Sequence, residues 1–188
     1  QHEIGKKISI SYGLRYNIYQ FLGSKNVNVY RENFPKSQQN IISSENYGNN
    51  EVIKEYHGMA PRIGLRYSIN ESTSIKVGYN RMNQYIQLVS NTATLSPVNV
   101  WKLSDTFISP QLVSQYSIGF FKNFKNNKFE TSLEGYYKDI ENVVEYKDGA
   151  VLLLNNTIET ELLQGEGKAY GIEAYVKKKT GKWTGWAS

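Results

Sequence analysis

An all-β fold, an antiparallel transmembrane β-barrel fragment, is what this sequence predicts, on three observations. Seven segments alternate apolar and polar residues with period two, the connections between them alternate between short and long, and no apolar run is long enough for a membrane-spanning helix.

From Ile8 to Ile18 the even positions are Ile8, Ile10, Tyr12, Leu14, Tyr16 and Ile18, and the odd ones are Ser9, Ser11, Gly13, Arg15 and Asn17. Side chains of a strand point alternately to its two faces, so this segment has an apolar face and a polar one. The pattern returns from Pro61 to Ile69, with Ile63, Leu65, Tyr67 and Ile69 opposite Arg62, Gly64, Arg66 and Ser68; the tetrapeptide Gly-Leu-Arg-Tyr occurs in both segments. A third strand sets Ile75, Val77 and Tyr79 against Ser74, Lys76, Gly78 and Asn80, and a fourth carries Tyr116, Ile118 and Phe120. The fifth opposes Phe129, Thr131, Leu133 and Tyr137 to Glu130, Ser132, Glu134 and Lys138. The sixth opposes Tyr170, Ile172, Ala174 and Val176 to Gly171, Glu173, Tyr175 and Lys177, and Trp183 to Ser188 begins a seventh. Helical period is absent at comparable length, apart from one turn expected within Thr157 to Leu163.

Asn70–Ser72, Asn123–Lys128 and Lys178–Lys182 are short connections, whereas Phe21–Gly58, Asn83–Gln111 and Glu141–Glu166 are long and rich in Asn, Ser, Gly and Thr. Compact soluble domains seldom contain even one structureless loop beyond about 15 residues. Outer-membrane barrels have short periplasmic turns and long external loops. In the last long segment, Val143 to Tyr146 and Ala150 to Leu154 flank Lys147-Asp148-Gly149, which predicts a local hairpin.

The longest apolar cluster, Val151 to Leu154, has four residues, and the mean hydropathy is −0.54, which excludes a helical membrane protein. Fifteen tyrosines, seven phenylalanines and three tryptophans suit strands and interface girdles. Cysteine is absent, so no thiolate metal site or disulfide framework is available. The net charge of +5 comes from 22 basic and 17 acidic residues spread along the chain, which does not make a nucleic-acid face; the densest basic run, Lys177 to Lys179, reads as a solvated turn.

Alternation alone leaves open a lipocalin-like soluble barrel with its apolar face inward. In a membrane, an Arg or Lys on the lipid side costs up to roughly 2–4 kcal/mol near the midplane. Arg15, Arg62, Arg66, Lys76, Glu130, Glu134 and Glu173 are therefore expected to face the lumen. An odd strand count and a last strand cut short at Ser188 lead to the expectation that residues 1–188 are part of one longer barrel domain, because an unpaired edge cannot stand in lipid.

Particular residues then carry a resemblance. Pro61 to Tyr67, Lys76 to Arg81, Gln84 to Thr92, Pro97, Trp101, Ser109 to Gln111, Gln115 to Gly119, Tyr136 to Lys138 and Gly165 to Glu173 follow one another as in TonB-dependent receptors. Ala169-Tyr170-Gly171-Ile172-Glu173 is the most specific of these, and Val98-Asn99 departs from relatives that often carry Asp after the Pro. The resemblance implies about seven strands of a 22-stranded barrel, with the plug domain and both barrel ends outside these residues. It also implies import across the outer membrane of a siderophore, vitamin, peptide or glycan, with TonB engaged through the plug region. Outer-membrane lipid, lipopolysaccharide and, where one exists, a surface lipoprotein complete the expected partners. A passive porin or a surface-anchoring barrel is the alternative, and a soluble sugar-binding β-sandwich is the rival from another class.

Tyr85, Trp101 and Asp105 in the second long connection are the candidate ligand-binding residues, since aromatic faces stack on sugars or chelates and a carboxylate accepts hydrogen bonds. No catalytic residue, metal site or cofactor is expected. Glu130 and Glu134 lie about 13 Å apart on one strand face, too far for a glycosidase pair. His2 and His57 stand alone.

Overall fold

The computed structural model describes residues 2–89, 100–152 and 155–188. Eight antiparallel strands form one sheet: β1 (His2–Ile4), β2 (Ile8–Leu22), β5 (Val52–Asn70), β6 (Thr73–Gln84), β9 (Gln111–Phe124), β10 (Phe129–Tyr146), β11 (Leu162–Lys178) and β12 (Gly185–Ala187), neighbours in that order. β1 and β12 occupy opposite edges, so the sheet is open. Two hairpins sit inside long connections, β3 (Lys25–Tyr30) with β4 (Ile41–Tyr47), and β7 (Ile86–Val89) with β8 (Val100–Leu103). Among the described residues the helical turns are short 3₁₀ segments, Gln38–Asn40 and Ile158–Glu161.

The strand alternation read from sequence is present, with differences at the ends. An additional strand, β1, precedes the first expected one, reached through a turn at Gly5 with φ of 64°. Three residues are too few for a period to show. The segment expected over Trp183 to Ser188 pairs only at Gly185–Ala187.

The third long connection overturns an expectation. Val143 to Tyr146 do not fold back locally. They continue β10 against Leu162–Gly165 of β11, past a bulge at Asn142, whose φ of 60° absorbs the extra residue. Lys147-Asp148-Gly149 does turn, with Ala150 N donating to Lys147 O and Gly149 at φ 72°, but Ala150 to Leu152 then run irregularly. Leu153 and Leu154 lie outside the described residues. The local turn signal was sound, yet pairing across the bulge extends a ladder that is already formed.

Short turns follow their residues. Asn70 Oδ1 accepts from Ser72 N and Ser72 Oγ, both at 3.0 Å, closing the β5–β6 turn. Lys125, Asn126 and Asn127 take left-handed conformations between β9 and β10. Beyond β11, Lys179 pairs with Glu130 at 2.8 Å, which satisfies one cation of the basic run.

Register turns alternation into two faces. Tyr12, Ile63, Tyr79, Tyr116, Tyr137 and Tyr170 are successive partners across six strands. Beside them runs a second apolar row, Ile10, Leu65, Val77, Ile118, then Gly135 and Ile172. Among the described residues no layer covers this face: Ile118 is 60% and Ile172 80% exposed. Bare apolar surface on this scale needs an apolar partner phase. The buried core lies instead at the long-connection end, where Val89, Ile108, Val144, Tyr146 and Leu162 cluster with Phe107 and Ile158.

Candidate functional site: the polar face and the long-connection cluster

On the opposite face, Ser9, Arg66, Lys76, Gly119, Glu134 and Glu173 are successive partners. Arg62 is partner to Gly13, Arg15 lies two residues beyond Gly13 on β2, and Glu130 lies four residues before Glu134 on β10. Arg15, Arg62, Arg66, Lys76, Glu130, Glu134 and Glu173 thus share one face, away from the apolar rows. Of these seven, the cations are on β2, β5 and β6 and the anions on β10 and β11, where Lys138 and Lys177 share the same face. Glycine opens this face locally: the Tyr136 ring lies across Gly171, where a Cβ would meet its hydroxyl at 2.9 Å.

The second long connection folds onto the polar side of β2 and β5. Tyr19 and Tyr56 are register partners on that side. Tyr19 OH donates to Ser104 O at 3.0 Å, and Tyr56 OH to Asp105 O at 2.7 Å. Tyr85 stacks on Tyr19 with centroids 4.8 Å apart and planes 9° from parallel.

Asp105 is 4% exposed and its carboxylate is fully engaged. One oxygen meets Lys102 Nζ at 2.5 Å, and the other accepts from Phe107 N at 2.8 Å and Ile108 N at 3.0 Å. A buried charge is tolerated only when paired and hydrogen-bonded in this way. Of the three ligand candidates, Asp105 is therefore committed to the loop's own donors, Tyr85 is packed against Tyr19, and Trp101 on β8 is presented, 64% exposed. Ser90, Asn91, Thr92, Pro97, Val98 and Asn99 of the sequence motifs lie outside the described residues.

Gly58 marks a close approach. A Cβ there would stand 2.2 Å from Asn83 Nδ2 and 2.7 Å from Tyr85 OH. Gly58→Val is expected to push Tyr85 off Tyr19 at about 1–3 kcal/mol, the usual cost of overpacking. Faster hydrogen exchange at Ile86–Val89 in the full-length protein is the readout; unchanged protection would refute it.

All three long connections meet at one junction. Tyr30 of β3 donates its hydroxyl to Glu159 Oε1 at 3.0 Å and packs edge-on to Phe107 at 5.5 Å. Burial first, then the bond to Glu159, pushes the Tyr30 hydroxyl from 10.0 up to about 12. A raised folded-state pKa stabilises while the proton stays on, so this contribution is whole below pH 10.0 and is lost as pH rises through about 12. Tyrosinate absorbance against pH should lose part of its latest-titrating amplitude in Tyr30→Phe; an unchanged high-pH limb in the variant would contradict the assignment.

Sequence reading missed one hydrogen-bonded chain. On the apolar side of β2 and β5, Tyr16 OH meets His57 Nδ1 at 2.6 Å, His57 Nε2 meets Glu55 Oε1 at 2.8 Å, and Gln20 donates to Glu55 Oε2. His2 likewise stacks on Tyr12, with Nε2 3.1 Å from its hydroxyl. Only the β1–β2 and β2–β5 registers bring these groups together, since their separations of 10 and 41 residues give no local signal.

A family profile described as "TonB dependent receptor-like, beta-barrel" matches residues 1–188. Among solved structures the chain is similar to one titled "Copper transporter OprC", with 14% sequence identity and a TM-score of 0.50, covering 96% of this chain and 26% of that one. The likeness is one of fold, and the chain spans about a quarter of that structure's length. No curated protein matches.

Proposed function

The chain belongs to the TonB-dependent receptor family, as part of its β-barrel, and from that premise we propose that it supplies barrel wall and external loops to an outer-membrane importer of a scarce ligand. The observation that carries this reading is the two-faced sheet. One face is an uncovered apolar surface suited to hydrocarbon, and the other bears the arginines, lysine and glutamates of a wet pore. β5, β10 and β11 have 19, 18 and 17 residues, whereas a spanning strand needs about 9–11. Their surplus length carries the long connections clear of the membrane, where the packed cluster presents Trp101 to arriving ligand.

In this reading the lipid and lipopolysaccharide of the outer membrane are partners of the apolar face. TonB acts through a plug region outside these residues, and a surface lipoprotein would dock on the external loops. Siderophore, vitamin, peptide and glycan are the ligand classes, and the chemistry is transport rather than catalysis.

Two measurements on the full-length protein test the reading. Cysteine at position 66 should react with a membrane-impermeant aqueous maleimide, while a bimane fluorophore attached to cysteine at position 65 should be quenched by lipid-borne spin labels; the reverse pattern would invert the faces. In planar bilayers an importer closed by a plug should pass no steady ion current, whereas steady conductance would favour the passive porin.

A further inference from the structure

Two neighbouring short turns are rich in lysine and free of acids. Lys122, Lys125 and Lys128 lie at the β9–β10 turn, and Lys177, Lys178, Lys179 and Lys182 at the β11–β12 turn; neither Phe120–Phe129 nor Ala174–Ser188 contains an acidic side chain. Lys179 N donates to Lys128 O at 2.8 Å, which fastens one turn to the other. Strand alternation sorts these lysines between the faces. Lys177 is the register partner of Glu130 on the polar side, and Lys179 Nζ meets the same carboxylate at 2.8 Å. Lys122 is partner to Thr73 and Thr131, and Lys178 to Phe129, all on the apolar side.

Lys122, Lys125, Lys128 and Lys178 form no ion pair among the described residues. Lys122 Nζ lies over the Phe124 ring at 4.9 Å and Lys125 Nζ over the Phe129 ring at 5.8 Å. Gly181, at φ 121°, leaves room for the other two: a Cβ there would stand 3.6 Å from Lys178 Nζ and 3.8 Å from Lys128 Cε. Ammonium groups gathered this closely repel one another unless an anion lies among them. The far end of the same face is different, since there Arg81 and Lys168 stand among Asp139, Glu141 and Glu166.

Depth points to the anion. Phe124 follows Ile118 by six residues on β9, about 20 Å along the strand and roughly 14 Å of depth at a tilt near 45°. An outer-membrane apolar band about 25 Å tall ends just short of that. Phe124 and Val176, 42% and 48% exposed, therefore reach the edge of the hydrocarbon, and the lysine stems carry their charges to the level of lipid phosphate.

We propose that Lys122, Lys125, Lys128 and Lys178 bind the phosphate groups of anionic phospholipids in the leaflet beside the short turns. A phosphodiester without a compensating ammonium supplies the negative charge that the cluster lacks, and its acyl chains lie along the apolar rows of the same strands. The inference rests on the apolar face meeting lipid, and it adds a headgroup class to that reading.

The test uses full-length protein in phosphatidylcholine vesicles, with a bimane fluorophore on Val176→Cys or on Leu14→Cys. These positions lie four residues to either side of the row that holds Ile10, Ile118 and Ile172. Quenching by phosphatidylglycerol with dibrominated acyl chains is compared with quenching by phosphatidylcholine brominated in the same way. At position 176 the anionic lipid should be preferred by about fivefold, the attraction expected of a single lysine at an anionic surface, and at position 14 the two lipids should quench equally. Lys128→Gln/Lys178→Gln should bring the ratio at position 176 close to one, while Lys128→Arg/Lys178→Arg should keep it. Equal quenching by the two lipids at position 176, the same anionic preference at position 14, or a preference that survives the glutamine variant would overturn the proposal. Quenching at both positions without preference removes the headgroup site alone, whereas no quenching at either position by either lipid would remove the lipid-facing reading and the site with it.

Discussion

Asp105→Ala is expected to free the β7–β8 hairpin from the sheet, at a cost of about 3–5 kcal/mol. The carboxylate holds Lys102 and two backbone N–H groups, and its removal strands an ammonium whose side chain is only 12% exposed. Leaving a buried charge without its partner is far more costly than removing both members. The double variant Lys102→Met/Asp105→Ala should accordingly recover part of the loss. Hydrogen exchange on the full-length protein reads this at Ile86–Val89 and Val100–Leu103, with protection in β10 and β11 as the internal control. A hairpin that stays protected in Asp105→Ala would remove the clasp from the account.

Arginine at position 118 is the second large effect. Ile118 is at the centre of an apolar row, between Val77 and Gly135. With that face against lipid, Ile118→Arg should cost about 2–4 kcal/mol near the midplane. Gln115→Arg, on the polar face of the same strand, should stay within about 0.5 kcal/mol, as surface substitutions usually do. Urea unfolding of the full-length protein in lipid vesicles compares the two, and similar costs for both would sink the lipid assignment.

The sheet was readable in the sequence because each strand writes its faces locally. Ile8 to Ile18 and Pro61 to Ile69 need no knowledge of their partners to show an apolar and a polar side, and the seven charged residues expected on one side do share it in the register. Three-residue β1 was too short to show a period. The Asn142 bulge was hidden for a different reason, because a left-handed asparagine inside a ladder leaves the same composition as a turn. Within the site, Trp101 could be recognised as an aromatic in a polar connection. The engagement of Asp105 could not, since Tyr56 reaches it from 49 residues away. The cross-strand row was equally invisible, because only pairing across four strands sets Gly64 and Gly78 beside Ser11 and Ser117.

Tyr30, Phe107 and Glu159 come from three different connections and touch one another directly or through Tyr30. Anyone exchanging a single loop between homologous receptors to transplant ligand preference would therefore import one third of an interlocked surface. The transferable unit is the trio, residues 23–51, 85–110 and 147–161 moved together, and chimaeras built that way should retain their heat resistance where single-loop grafts lose it.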